Sequence, residues 1–184
     1  MIVLLVILIA LAACVGWGVG VYNGLVKLRE NAKNGWSQID VQLKRRHDLI
    51  PNLVETAKGY MEHESSTLEN VIKARQQAID ASKIKDKQVA ENFLSSTLRS
   101  LFAVSENYPN LKADQQMRQL HEELTSTENK ITFARQYYND EVTRLNTAVQ
   151  SFPDNFIANM CSFEKRDFFE LGDESEKETP KVQF

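Results

Sequence analysis

The stretch "IVLLVILIALAACVGWGVGVY", Ile2 to Tyr22, contains no charged side chain. It constrains the chain more than any other feature. Twenty-one residues at 1.5 Å each make a helix of about 31 Å, enough for the hydrocarbon core of a bilayer. Trp17 and Tyr22 lie toward its C-terminal end, where amphipathic rings favour the membrane interface. A buried core helix, a cleaved signal peptide and a lipoprotein signal are the alternatives. No basic n-region precedes the apolar run, against a signal peptide. "LAAC" ending at Cys14 has lipobox residue types, but a further apolar run follows it. Whether Cys14 is lipidated stays open. Lys27, Arg29 and Lys33 follow the span, so the positive-inside rule places the remainder in the cytoplasm. The expected arrangement is therefore a membrane crossed once, with the bulk of the chain on its cytoplasmic side.

Beyond Tyr22 the chain reads as helix. It has only 7 Gly and 4 Pro, and its apolar residues recur three or four apart. Leu25, Ala32, Trp36, Ile39 and Leu43 continue an amphipathic helix out of the span. Pro51 should interrupt it, because proline removes a backbone donor and clashes with the carbonyl four residues back. A break at Asp48–Ile50 is therefore predicted, with a second helix from Pro51 to about Ser82. A continuous helix kinked at Pro51 is the alternative. "SKIKDKQ" marks the next turn, and a third helix is expected over about 87–107. "NYPNLKAD" breaks that helix, Asp114 is a candidate N-cap, and a fourth helix ends before Pro153.

The predicted fold class is all-α: a transmembrane helix (2–22) followed by an antiparallel up-and-down four-helix bundle with coiled-coil character (23–171), then a disordered polar tail (172–184). This topology would put "RRHDLIP" and "NYPNLK" together at the end far from the membrane. "SKIKDKQ" and the segment after Pro153 would lie at the near end.

The search for chemistry is negative. No histidine has a glutamate three residues before it, and "HESST" and "HEELT" lack the second histidine of HExxH. There is no glycine-framed nucleophile, Walker loop or CxxC pair. No catalytic residue, metal or cofactor is expected, and Cys161 reads as a small buried hydrophobe. A net charge of −3 without extended basic stripes argues against nucleic acid. Two surfaces remain. Lys44, Arg45, Arg46 and Asp48, with Tyr108 and Pro109, form a candidate docking apex; helix-end capping by the cations is the alternative. Phe152, Phe156, Phe163, Phe168 and Phe169 form a candidate membrane-proximal patch; a short helix closing the bundle is the alternative. Gln38, Asn92, Glu128, Asn129 and Arg135 fall near apolar positions and read as structural polar groups.

"YNGLVKLRE", "WSQIDVQLKRRHDLIPNLVETAKGY", "YPNLKA", "TENKITFARQYYND" and "FP" at 152–153 occur in this order. On these motifs the chain resembles the LemA family from Tyr22 to about Phe169. The resemblance implies a single-pass membrane protein, a four-helix antiparallel bundle and no established enzymatic activity. It favours a break at Pro51 over a kink. Family genes often neighbour those for HtpX-type metalloproteases or TPM-domain proteins, which implies a scaffold or adaptor in envelope quality control. Gly35 stands where the family usually has alanine, at an expected cost of about 1 kcal/mol to the helix. The functional expectation is a non-enzymatic membrane scaffold that binds other membrane proteins or its own copies. A peripheral lipid-interacting bundle using 152–169 is the second expectation.

Overall fold

The computed structural model describes residues 1–170; the predicted tail at 172–184 lies outside them. Among the described residues there are six helices and no strand: α1 (Ile2–Lys58), α2 (Ser65–Asp80), α3 (Ile84–Ser105), α4 (Pro109–Ala113), α5 (Gln115–Gln150) and α6 (Asp154–Met160). The fold is all-α. The chain forms two compact units, one comprising Met1–Gln38 and Ala134–Phe168, the other built on Ile39–Phe133.

The first correction concerns Pro51. It lies inside α1, and the predicted break at Asp48–Ile50 does not occur. The reason is the apolar seam. Leu25, Ala32, Ile39, Arg46 and Leu53 recur every seven residues, as do Leu43, Ile50 and Ala57, and all are buried. The heptad phase passes through Pro51, which is itself exposed. Burying Ile50 and Leu53 is worth about 1.5–3 kcal/mol per side chain, which outweighs a proline cost of about 3 kcal/mol. The carbonyl that proline deprives of its N–H partner is that of His47. It accepts a hydrogen bond from Arg75 Nε of α2 at 2.7 Å, so the orphaned acceptor is satisfied from outside the helix.

The chain instead turns at 59–64, after Ala57 accepts from the N–H groups of Tyr60 and Met61 at 3.0 Å. Glycine at 59 is a poor helix former. The predicted helix from Pro51 to Ser82 is thus two pieces, the end of α1 and α2. The later boundaries match more closely. The turn before α3 is Ala81–Lys83, and Asp114 caps α5 by accepting from Met117 N at 2.8 Å. The predicted break at "NYPNLKAD" contains a short helical turn, α4, with Pro109 at its first position.

In the second unit, the C-terminal part of α1, α2, α3 and the N-terminal part of α5 make an up-and-down four-helix arrangement. Its core runs from Ile50, Leu53 and Ala57 through Leu68 and Val71 to Leu94, Leu101, Leu111 and Leu124. The turn before α3 lies beside Asp40, which pairs with Lys87 Nζ at 2.8 Å.

The first unit is built differently. Here α1 and α5 pair antiparallel: Trp36 packs on Tyr138 with ring centroids 5.5 Å apart, and Asn31 Nδ2 donates to Glu141 Oε2 at 3.0 Å. A Cβ on Gly35 would stand 3.0 Å from the Tyr138 Cα. Gly35 is therefore more than a weakened helix position, because it permits close approach of the two backbones. Four helices over the whole of 23–171 are not found. Only α1 and α5 extend into this unit, joined by α6 and the segment that follows it.

Candidate functional site

The heptad register of α1 places Arg46 at a seam position, seven residues after Ile39 and seven before Leu53. Its side chain is 1% exposed. The register of α3 puts Glu91 on the inward face, three residues before Leu94 and seven before Leu98, and it too is buried. Arg46 Nη2 pairs with Glu91 Oε2, and Arg46 Nη1 donates to Glu128 Oε2 at 2.6 Å and to Ser95 Oγ at 3.0 Å. His47 Nε2 lies 2.8 Å from Glu91 Oε1. Both Glu91 oxygens are thus engaged by cationic or imidazole nitrogen.

Burial pushes the Glu91 carboxyl up. The hydrogen bond from His47 and the charge of Arg46 pull it down further, and the net displacement is below the usual carboxylate range. Arg46 Nε and Gln42 Oε1 are buried without a hydrogen-bond partner among the described residues.

This arrangement joins α1, α3 and α5 through one guanidinium. A polar residue at a single seam position sets register, because any slip leaves its charge buried and unpaired. Both Glu91 oxygens face Arg46 and His47, and Ser95 Oγ accepts from Arg46 rather than facing an imidazole base, while Glu128 is half exposed. No group of three or more metal-ligating side chains occurs among the described residues. Beside the cluster runs an open groove of about 360 Å³, lined by Arg46, Ser95, Phe102, His121, Leu124 and Glu128. The His121 ring packs edge-on against Phe102 at 4.4 Å.

The predicted apex does not hold together. Arg46 is buried and belongs to the core. Lys44, Arg45 and Asp48 are exposed on the side of α1, well before the turn. Arg45 is 3.9 Å from Glu123 across to α5, so the cations do not cap a helix end either. Tyr108 and Pro109 do lie at a turn end of this unit, but their neighbour is 59–64. Tyr108 Oη donates to Glu64 Oε1 at 3.4 Å, and Tyr60 Oη donates to Asp114 Oδ2 at 3.2 Å. The Asp114 hydrogen bond and charge raise the Tyr60 phenol above its ordinary value. Burial first, then Glu64, does the same for Tyr108. Both phenols therefore remain neutral donors.

Sequence reasoning missed Glu91 as the partner of both Arg46 and His47, and Glu141 as a buried acceptor. The available signal was the uninterrupted seven-residue spacing through Arg46. Of the residues read as structural polar groups, Glu128 joins the cluster.

The phenylalanines also separate. Phe152, Phe156 and Phe168 are exposed, whereas Phe163 and Phe169 are buried. The cause is local. After α6 the chain reverses with Ser162 at φ 56°, the Ser162 N–H bonding to Asn159 O at 3.3 Å and the Phe163 N–H to Ala158 O at 2.9 Å. These are the two bonds of a Schellman motif, which carries a hydrophobic residue inward just after the helix. Phe163 packs edge-on against Tyr22 at 5.8 Å, with the Arg29 guanidinium 5.3 Å from its ring centroid. Cys161, expected to be buried, is exposed.

The family model for LemA matches residues 35–184, a span that includes the Arg46 cluster and α6. The chain belongs to the LemA family. Among curated relatives, a magnetosome protein MamQ of Magnetospirillum gryphiswaldense is 21% identical over 80% of this chain and 64% of its own length. MamQ 2 of Paramagnetospirillum magneticum is 22% identical over 81% of this chain and 64% of its own length. The protein LemA of Metamycoplasma hominis is 27% identical over 76% of this chain and 64% of its own length. The chain thus spans about 64% of the length of the curated relatives it matches.

Proposed function

We propose that this LemA-family chain is a non-enzymatic scaffold held in the bacterial cytoplasmic membrane, with its helical remainder on the cytoplasmic side. It recruits other membrane proteins or further copies of itself. One observation carries the reading: α1 is a single helix from Ile2 to Lys58, apolar and exposed at its start, while its later seam forms core. Anchor and recognition body are then carried by one continuous helix, which suits presentation of a surface at a membrane more than turnover of a substrate. The engagement of both Glu91 oxygens by Arg46 and His47 supports a register-setting role over a catalytic one. The relatives named as magnetosome proteins support a membrane-associated role. The family resemblance supports HtpX-type metalloproteases or TPM-domain proteins as partners in envelope quality control.

The test is photo-crosslinking in intact cells from Arg45 and from Glu62, both exposed, followed by identification of captured proteins. Discrete membrane-protein adducts or a ladder of self-adducts are expected. Background capture from both positions, with a monomer at every concentration after mild detergent extraction, overturns the scaffold reading.

A further inference from the structure

α6 presents an unpartnered apolar stripe. Phe152, Phe156 and Met160 are spaced four apart and are 79%, 65% and 75% exposed, with the Phe152 and Phe156 rings in edge contact at 5.9 Å. The first unit shows the level at which this stripe lies. The antiparallel register that pairs Trp36 with Tyr138 and Asn31 with Glu141 continues toward the span, where Ala148 and Asp154 share one groove with Trp17, Val21 and Leu25. α5 therefore ends near the level of Tyr22, and α6 begins below it. On the inner side of α6, Ile157 Cδ1 lies 3.7 Å from where a Gly18 Cβ would be. Gly18 is inside the apolar segment, about 6 Å of helix short of Tyr22. The chain then climbs back, since Phe163 rests on Tyr22 and Arg29.

We infer that α6 is a second, interfacial membrane contact: residues 152–161 dip beside the span and insert Phe152, Phe156 and Met160 into the headgroup–acyl boundary of the same leaflet. The occupant of this face is lipid, because α6 packs directly on residues of the segment that itself requires lipid. A depth of about 6 Å is that of interfacial amphipathic helices. Phe163 and Phe169 take no part, being turned into the protein. The inference rests on the membrane-anchored reading of residues 2–22. Together, span and α6 grip the bilayer at two points, which fixes the tilt and rotation of the first unit as a single helix cannot.

Full-length protein carrying Cys14→Ser and Cys161→Ser is labelled with a nitroxide at one introduced cysteine and reconstituted in phosphatidylcholine–phosphatidylglycerol vesicles. Labels at Phe156→Cys and Met160→Cys are compared with Leu8→Cys in the span and Lys73→Cys on exposed α2. Spin-label collisions with lipid-soluble oxygen and with a water-soluble nickel chelate are measured. Expected at 156 and 160 is loss of nickel access relative to 73, with oxygen access rising toward the value at 8. Nickel access equal to that at 73, with position 8 in lipid, overturns the inference alone. Water exposure at position 8 as well overturns the anchored reading beneath it. Spin–spin broadening at 156 that vanishes on dilution with unlabelled protein means a second copy covers the stripe, and also overturns lipid contact.

Discussion

Removing one member of the Arg46–Glu91 pair tests what the cluster does. Arg46→Met leaves Glu91 buried with only His47, and Glu91→Leu leaves Arg46 with Ser95 and the half-exposed Glu128. Arg46→Met strands the buried Glu91 charge, at an expected cost of about 3–5 kcal/mol, whereas Glu91→Leu keeps the Arg46–Glu128 bond and should cost about 1–3 kcal/mol. The double variant strands none. Its two apolar side chains meet at seam positions of α1 and α3, surrounded by Leu43, Ile50, Leu94 and Leu98. Double replacement of a buried pair is often neutral or stabilising, so its net change is expected within about 2 kcal/mol of the parent. The coupling in the cycle is then about 2 kcal/mol or more and of rescuing sign. The assay is urea unfolding of the full-length protein in mild detergent, followed by far-UV circular dichroism. Additive single effects would refute the reasoning, because they would mean that the two charges are solvated independently. If the pair specifies register, the rescued double variant should also show faster amide exchange in α3 than the parent, at equal stability.

Four further outcomes follow from particular contacts. Glu91 titrates below its unfolded value, so its contribution is complete above about pH 4.3 and is lost as pH falls through the lower folded value; Glu91→Gln should remove that part of the acid limb in a stability-against-pH series. Arg75→Ala should cost about 1–2 kcal/mol by freeing the His47 carbonyl, and markedly less in a Pro51→Ala background, where the restored amide can take that acceptor; equal costs in both backgrounds would contradict the pairing. Gly35→Leu should destabilise by about 1–3 kcal/mol, measured by thermal unfolding, since its Cβ meets the Tyr138 backbone. Ser162→Gly should stabilise by about 1 kcal/mol, because glycine occupies the left-handed position without steric cost.

The helical class, the apolar span, the turn at "NYPNLKAD", the Asp114 cap and the end of α5 before Pro153 were all legible along the chain. Each depends on local chemistry: residue polarity, missing donors, or a carboxylate within reach of its own helix. Pro51 was misread because a local rule was applied without its tertiary competitor. The unbroken heptads from Leu25 to Ala57 already carried that competitor, with Arg46 standing in a seam of apolar residues. What one helix could not reveal was the partner: Glu91 from α3, Glu128 from α5 and Arg75 from α2 arrive from other parts of the sequence.

The same division holds for the phenylalanines. The sequence by itself determined that residues 152–169 are rich in large apolar side chains near a span. Only the tertiary structure decided which of them face out. A left-handed turn at Ser162 folds Phe163 onto Tyr22 and Arg29, while Phe156 and Met160 on the outer face of α6, and Phe152 just before it, are left uncovered. The physical reason is common to both cases. Helical periodicity is a property of neighbours in sequence, whereas burial of a charge or an aromatic ring depends on which distant backbone closes over it.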